Sequence, residues 1–307
     1  MRTLYLGTSE FAAVILRRLA ASPHRPALVV APPDRRQGRG RKLSPPPVAA
    51  AAADLGLDLF QAPDVNDPEA SERLLGAGAE AGVVCAFGQI VREPLLSGIE
   101  LLNVHPSLLP RWRGAAPIER AIMAGDEATG VCVMRLEAGL DSGPVALRRE
   151  EPIGPGDDYG SLSDRLAEAG GELLVEALDR CAAGALDYVE QSERGVSYAE
   201  KIEPGERRVD PWAGALPESL RIRALTPHVG AFVVLEDESR LGLRDPEPLA
   251  AGPEPGAFAA ADGHLVLGCG DGALRIGSVQ PPGGRWMPAA DFVRGRGLPA
   301  PVARPPR

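Results

Sequence analysis

The stretch that most limits the fold is the first thirty residues. Leu4-Tyr5-Leu6 is a short apolar run ending at Gly7, and Gly7-Thr8-Ser9-Glu10-Phe11 reads as a tight turn into a helix capped by Thr8 or Ser9. The helix runs from Phe11 to Ala20, and a second apolar run follows at Ala27 to Ala31. Strand, helix and strand at this spacing make one βαβ unit, which closes as a parallel pair with a right-handed crossover. The chain therefore begins an α/β sheet. A dinucleotide-binding version of the turn needs Gly-x-Gly-x-x-Gly, and Gly7 stands alone here, which weighs against a nicotinamide enzyme.

An Ala-rich helix opens at Pro45-Pro46-Pro47 and runs to about Leu55, and strand-like runs follow at Asp58 to Gln61 and Ala81 to Phe87. The next run, Ile99 to Leu102, leads into Asn103-Val104-His105-Pro106. Strand alternation sends Asn103 and His105 to one side and Val104 to the other, and Pro106 and Pro110 end the strand. Polar groups at a strand's carboxyl end sit where open α/β sheets bind ligands. An amide that donates a hydrogen bond beside an imidazole that moves a proton suits acyl transfer through an oxyanion. No Ser or Cys nucleophile is needed if the attacking group arrives on the substrate. Asp141 lies between the apolar runs Val131 to Leu136 and Val145 to Leu147, and supplies a carboxylate able to orient and charge His105.

Ser107-Leu108-Leu109-Pro110-Arg111-Trp112-Arg113-Gly114-Ala115-Ala116-Pro117-Ile118, with Gly139-Leu140-Asp141-Ser142-Gly143, resembles the folate-dependent formyltransferases, and specifically the methionyl-tRNA formyltransferase family. The resemblance extends over nearly the whole chain. It implies a Rossmann-like α/β formyltransferase domain with a parallel sheet, followed by a small C-terminal β-barrel of oligonucleotide-binding (OB) type. It also implies transfer of a formyl group from 10-formyltetrahydrofolate to the α-amine of initiator methionyl-tRNA, with Asn103, His105 and Asp141 as the catalytic set and no metal. Ser107, Leu108, Leu109 and Pro110 match the family's folate-contacting stretch, and Phe87-Gly88-Gln89-Ile90-Val91 resembles its pterin-binding wall, with Phe87, Gln89 and Ile90 as the contacts.

Between Pro32 and Pro47 lie Arg35, Arg36, Arg39, Arg41 and Lys42, five cations in eight residues spaced by Gly38 and Gly40. Such a segment cannot pack a core and reads as a mobile, solvated loop. The resemblance places it near the acceptor end of the tRNA. Arg111 and Arg113 bracket Trp112, a pairing suited to phosphate and stacked bases, although Trp112 also fits simple packing under the loop.

Helices are expected at Pro117 to Ala124 and Leu162 to Ala182, the latter amphipathic through Leu166, Leu173, Leu174, Ala177 and Leu178. The division expected is a catalytic domain over 1–190, a polar linker over 191–205 and a tRNA-binding barrel over 206–307. In the last part a helix, Pro217 to Leu225, precedes short β-like runs at Ala231 to Leu235, Leu241 to Leu243, Leu265 to Leu267 and Leu274 to Val279. Gln280 to Met287 resembles the family's closing motif, His228 stands where the family usually has tryptophan, and Ala303 to Arg307 reads as a frayed tail.

The net charge of −9 is awkward for an RNA partner, but it lies entirely in residues 1–205, and residues 275–307 carry six Arg against Asp291 alone. Cys85, Cys132, Cys181 and Cys269 have no Cys-x-x-Cys spacing and read as reduced structural thiols. With no export signal or membrane span, the expectation is a cytoplasmic monomer. Three other readings share part of this pattern: a formyltransferase acting on a small amine, a hydrolase releasing formate from the folate, and a nucleic-acid-binding protein with a defunct enzyme domain. The first two keep the three polar residues, and the first does not need the basic loop or the barrel.

Overall fold

The computed structural model describes residues 1–37, 42–261 and 263–304. The chain divides into two compact units: Met1–Pro117 with Ala128–Pro152 and Ser163–Ala199, and Ile118–Glu127 with Ile153–Leu162 and Glu200–Arg307.

The first unit opens with β1 (Thr3–Gly7), α1 (Glu10–Ala20) and β2 (Pro26–Ala31), and β1 and β2 pair in parallel as expected. Ser9 is the N-cap of α1, accepting the Ala12 amide through its hydroxyl, while the Thr8 hydroxyl donates to the Phe87 carbonyl at 2.6 Å. Helix α1 buries Phe11, Ile15, Leu16 and Leu19, which recur at one-turn spacing.

The described flanks of the basic segment depart from the expected loop. These flanks, β3 (Arg35–Gln37) and β4 (Lys42–Ser44), pair antiparallel with Arg36 opposite Leu43. Gln61 ties down the base, donating to the Pro32 carbonyl and to Asp34. Ladder hydrogen bonds thus restrain these two flanks. Arg35, Arg36 and Lys42 are exposed on them, while Arg39 and Arg41 lie outside the described residues.

The sheet continues through α2 (Pro47–Asp54), β5 (Leu59–Gln61), α3 (Pro68–Leu75), β6 (Ala81–Cys85), α4 (Leu95–Gly98) and β7 (Glu100–His105). Strand β6 ends earlier than its apolar pattern suggests, because Ala86 turns to a φ of 42° and frees Phe87 to Ile90 as a loop. After β8 (Arg113–Gly114) and α5 (Pro117–Met123) come β9 (Ala128–Arg135), β10 (Val145–Pro152), α6 (Tyr159–Ala182) and β11 (Tyr198–Ala199).

The order of the seven-stranded sheet is β10-β9-β7-β6-β1-β2-β5. Strands β7, β6, β1, β2 and β5 are parallel; β9 runs against β7, and β10 against β9. The expected parallel sheet is therefore parallel-rich with an antiparallel flank, since β9 and β10 are joined by a nine-residue loop, too short for a parallel crossover. Strand β1 is buried along its whole length, as a strand covered on both faces must be. Leu4, Leu6, Leu28, Val30, Val84, Phe87 and Leu101 share one core cluster, each Leu contributing roughly 2–3 kcal/mol. Sequence order reverses between β1 and β6, so their carboxyl ends, at Gly7 and Cys85, flank the switch point where such sheets take ligands.

The second unit carries α7 (Ala215–Leu225) and then β12 (Ala231–Val234), β13 (Arg240–Leu249), β14 (Phe258–Ala261), β15 (His264–Cys269), β16 (Gly272–Gln280), β17 (Met287–Pro288) and α8 (Ala289–Arg296). The ladder is antiparallel in the order β12-β13-β16-β15-β14, with β17 on β16. Leu241, Leu243, Leu265, Leu267, Leu274, Ile276 and Val279 meet α7 and α8 in one core, so alternation in each strand faces a common interior. Among the described residues the outer strands β12 and β14 are not paired with each other. The end of the chain is not frayed as far as Ala303: Val302 is buried, and Ala303 donates to the Val234 carbonyl and accepts from Arg208. Pro305 to Arg307 lie outside the described residues.

Candidate active site

Strand β7 carries Asn103 and His105 to the carboxyl edge of the first unit's sheet, next to β6. Both are buried, at 8% and 4% exposure. Asp141 comes from the loop between β9 and β10 and takes a left-handed φ of 45°, costly for a residue with a Cβ. Gly143 permits the turn, because a Cβ there would collide with the Arg135 carbonyl.

The three expected catalytic residues converge. The Asn103 amide donates to Asp141 Oδ1 at 3.2 Å, which leaves its second N–H for a reacting oxygen. Asp141 Oδ2 accepts the Gly114 backbone N–H at 2.8 Å and faces His105 Nδ1 at 3.6 Å. His105 Nε2 lies 2.9 Å from the Trp112 carbonyl. A carbonyl only accepts, so Nε2 carries the proton and Nδ1 is the nitrogen turned to the carboxylate. The arrangement brings together one amide donor, one imidazole and one carboxylate. Proton transfer and oxyanion stabilisation need those three groups.

A cysteine nucleophile does not compete. Burial pushes the Cys85 thiol up to about 12 and the Cys132 thiol up to about 11, so both stay protonated at neutral pH. Among the described residues no group of three or more His, Cys, Asp or Glu is placed to hold a metal ion.

The residues expected to contact folate are placed less uniformly. Phe87, Gln89 and Ile90 lie on the loop leaving β6, at the same sheet edge as the catalytic set. Phe87 is packed in the core, and Ile90 is 68% exposed. The Gln89 side chain is engaged with Ala62 and Val65, and the Ser107 hydroxyl donates to the Arg111 carbonyl at 2.6 Å. Leu109 packs with Cys132 and Met134, while Leu108 and Pro110 are half-buried. The Gln89 and Ser107 side chains thus already hold hydrogen bonds within the protein.

Arg111 is exposed, with its guanidinium 4.3 Å from the centre of the Trp112 ring. Arg113 corrects the expectation of a phosphate contact: it is 9% exposed, and its guanidinium donates twice to Gln191 Oε1, at 3.0 and 2.8 Å. A buried guanidinium is held by a fixed partner or costs several kcal/mol, about 3–5. Two further groups, outside the expected catalytic set, hold Asp141. Gly114 supplies the amide on Asp141, and Gln191, in the segment expected as linker, donates to the carbonyls of both Asp141 and Gly143 at 2.8 Å. Gly114 lies inside the motif string, whereas nothing local distinguishes Gln191 from a solvated glutamine. In the second unit His228 stacks on Tyr159, centroids 3.6 Å apart, and meets Glu119 at 2.9 Å.

Comparison with known proteins identifies the family. Residues 1–178 match the formyl transferase family and residues 201–297 the formyl transferase C-terminal domain. A methionyl-tRNA formyltransferase of Methylococcus capsulatus is 45% identical, with 97% of this chain and 98% of that protein covered. One from Symbiobacterium thermophilum is 44% identical, covering 97% and 93%. Among solved structures, HypX from Aquifex aeolicus in complex with tetrahydrofolic acid superimposes with a TM-score of 0.68 at 19% identity. That match covers all of this chain and 50% of HypX. WlaRD, a sugar 3N-formyl transferase, gives 0.63 at 14% identity over 90% of this chain and 96% of its own. These two likenesses establish the fold alone; the identity and coverage of the first two place the chain in the methionyl-tRNA formyltransferase family.

Proposed function

We propose that the chain moves a formyl group from 10-formyltetrahydrofolate to the α-amine of methionine on initiator tRNA, as a cytoplasmic monomer serving translation initiation. The meeting of Asn103, His105 and Asp141 at the sheet's carboxyl edge carries this reading. The relatives named methionyl-tRNA formyltransferase support the acceptor, because they align with both units.

The free N–H of Asn103 donates to the formyl oxygen as negative charge grows on it. As the amine bonds to the formyl carbon and the formyl–folate C–N bond breaks, His105, held through Nε2–H by the Trp112 carbonyl, takes the amine's proton at Nδ1 beside Asp141 and returns it to the departing folate nitrogen. The 3.6 Å between His105 and Asp141 is long for a hydrogen bond, as catalytic pairs commonly are before substrate binds. Folate is cradled between the Phe87–Ile90 loop and Ser107 to Pro110, through shape and main chain, because the Gln89 and Ser107 side chains are already bonded.

Residues 1–190 act as the formyltransferase domain, 191–205 as the connection and 206–307 as the tRNA-binding domain. Arg35, Arg36, Arg39, Arg41, Lys42 and Arg111 serve the tRNA. Incubation with 10-formyltetrahydrofolate and charged initiator tRNA is the direct test, with formylmethionyl-tRNA as the expected product. Formate release alone, or formylation of a small amine with charged tRNA untouched, overturns the reading.

A further inference from the structure

We propose that Gln191 is a positioning residue that sets the Asp141 carboxylate for the reaction, an inference that rests on the formyl-transfer reading above. Gln191 uses every hydrogen-bonding position it has. Its two N–H groups go to the carbonyls of Asp141 and Gly143, both at 2.8 Å, and its oxygen takes Nε and Nη2 of Arg113 at 3.0 and 2.8 Å. The side-chain orientation is unambiguous, because carbonyls only accept and a guanidinium only donates.

These bonds close a circuit. Arg113 lies between Trp112, whose carbonyl holds His105 Nε2, and Gly114, whose amide holds Asp141 Oδ2. Its backbone N–H donates to the Ser197 carbonyl at 2.9 Å, so Arg113, which joins the two peptide units presenting these groups, is anchored through both its main chain and its side chain. From the Asp141 main chain the path runs through Gln191 to the Arg113 side chain, along the backbone to Gly114, and back to the Asp141 carboxylate. Asp141 needs such a hold, since its left-handed backbone is one a non-glycine residue leaves when unsupported. One carboxamide therefore locks the loop carrying Asp141 to the loop facing His105, though it touches neither ring nor carboxylate.

Gln191→Glu separates this role from a merely structural one. A carboxylate keeps the Arg113 pairing but opposes the carbonyls of Asp141 and Gly143 with an oxygen that cannot donate. Gln191→Met removes both contacts and strands the buried guanidinium.

In the full chain, Gln191→Glu is expected to retain wild-type cooperative unfolding and a folate KM within threefold. Its kcat should fall about 10- to 100-fold, the scale of a loss of alignment near an ångström. In NMR spectra of the protein without substrates, the Gly114 amide proton, shifted downfield by its carboxylate acceptor, should move upfield. Gln191→Met should show the same two effects with a lowered Tm. A Gly114 resonance unmoved in both variants overturns the inference, whatever the activity, as does a wild-type kcat in Gln191→Glu. The NMR measurement needs no formyl transfer, so an upfield shift in a chain that fails to formylate charged tRNA supports the clamp and rejects the proposed reaction.

Discussion

Replacing Asp141 with Asn keeps the shape of the side chain and removes its charge, and the surroundings leave the amide no good orientation. Oδ1 faces the Asn103 N–H at 3.2 Å; Oδ2 faces the Gly114 N–H at 2.8 Å and His105 Nδ1 at 3.6 Å. An NH2 in the first position opposes the Asn103 donor, and in the second it opposes the Gly114 donor. Asn103 can answer only by turning its oxygen inward, which rotates its other N–H away from the reacting oxygen. The electrostatic loss is larger. Charges 3.6 Å apart interact by about 4–5 kcal/mol at an effective dielectric constant of roughly 20. The Asp141 side chain is only 13% exposed, so solvent screens a minor part of this. At about 1.4 kcal/mol per decade, the imidazolium formed on proton transfer loses stabilisation worth about three decades in rate. The assay is kcat for formylation of charged initiator tRNA at saturating 10-formyltetrahydrofolate, beside a thermal melt. Turnover within threefold of wild type, in a variant that melts normally, would refute the coupling of Asp141 to His105.

Asn103→Ala should lower kcat by about 10²–10³ with both KM values little changed, the loss typical of one oxyanion donor; a single-turnover rate within threefold of wild type removes it from the mechanism. Alanine at Arg35, Arg36 and Lys42 together should raise KM for charged tRNA and flatten the salt dependence by roughly 0.7–0.9 units of slope per lost phosphate contact. If formate release from the folate falls equally, the hairpin instead supports the active site. Burial raises the Cys85 thiol to about 12 from an ordinary value of 9.0, so its contribution is intact below pH 9. Above that pH the unfolded chain ionises first, and stability should fall by up to about 1.4 kcal/mol per pH unit until the folded thiol also titrates. Urea melts from pH 8 to 11 check this, and Cys85→Ala should flatten the decline.

Local features carried much of the architecture. The βαβ opening, the proline-ended strand of Asn103 and His105, and the short alternating strands after residue 230 all reappear as elements, and the opening pair is parallel as expected. Their signals are periodic, and periodicity is written in neighbours along the chain. The exceptions turned on one backbone angle and on one partner distant in sequence. Strand β6 stops at Cys85 because Ala86 adopts a positive φ, and the basic flanks pair because Gln61 anchors their base.

The active site divides the same way. Sequence alone determined which groups meet: an Asn and a His two residues apart on a strand share one face, and a carboxylate in a glycine-flanked loop is available to join them. It also left room for a substrate-borne nucleophile, since an amide donor and an imidazole can serve acyl transfer without a Ser or Cys nucleophile from the protein. Tertiary structure decided how the groups are held. It turned Arg113 from a phosphate ligand into a buried strut and drew Gln191 from an apparent linker onto two catalytic-loop carbonyls. It also chose the nitrogen of His105 that faces Asp141. Each outcome depends on a hydrogen-bond partner 7 to 78 residues away. Such pairings leave no period or local propensity, because a buried polar group is satisfied by whatever folding brings within about 3 Å of it.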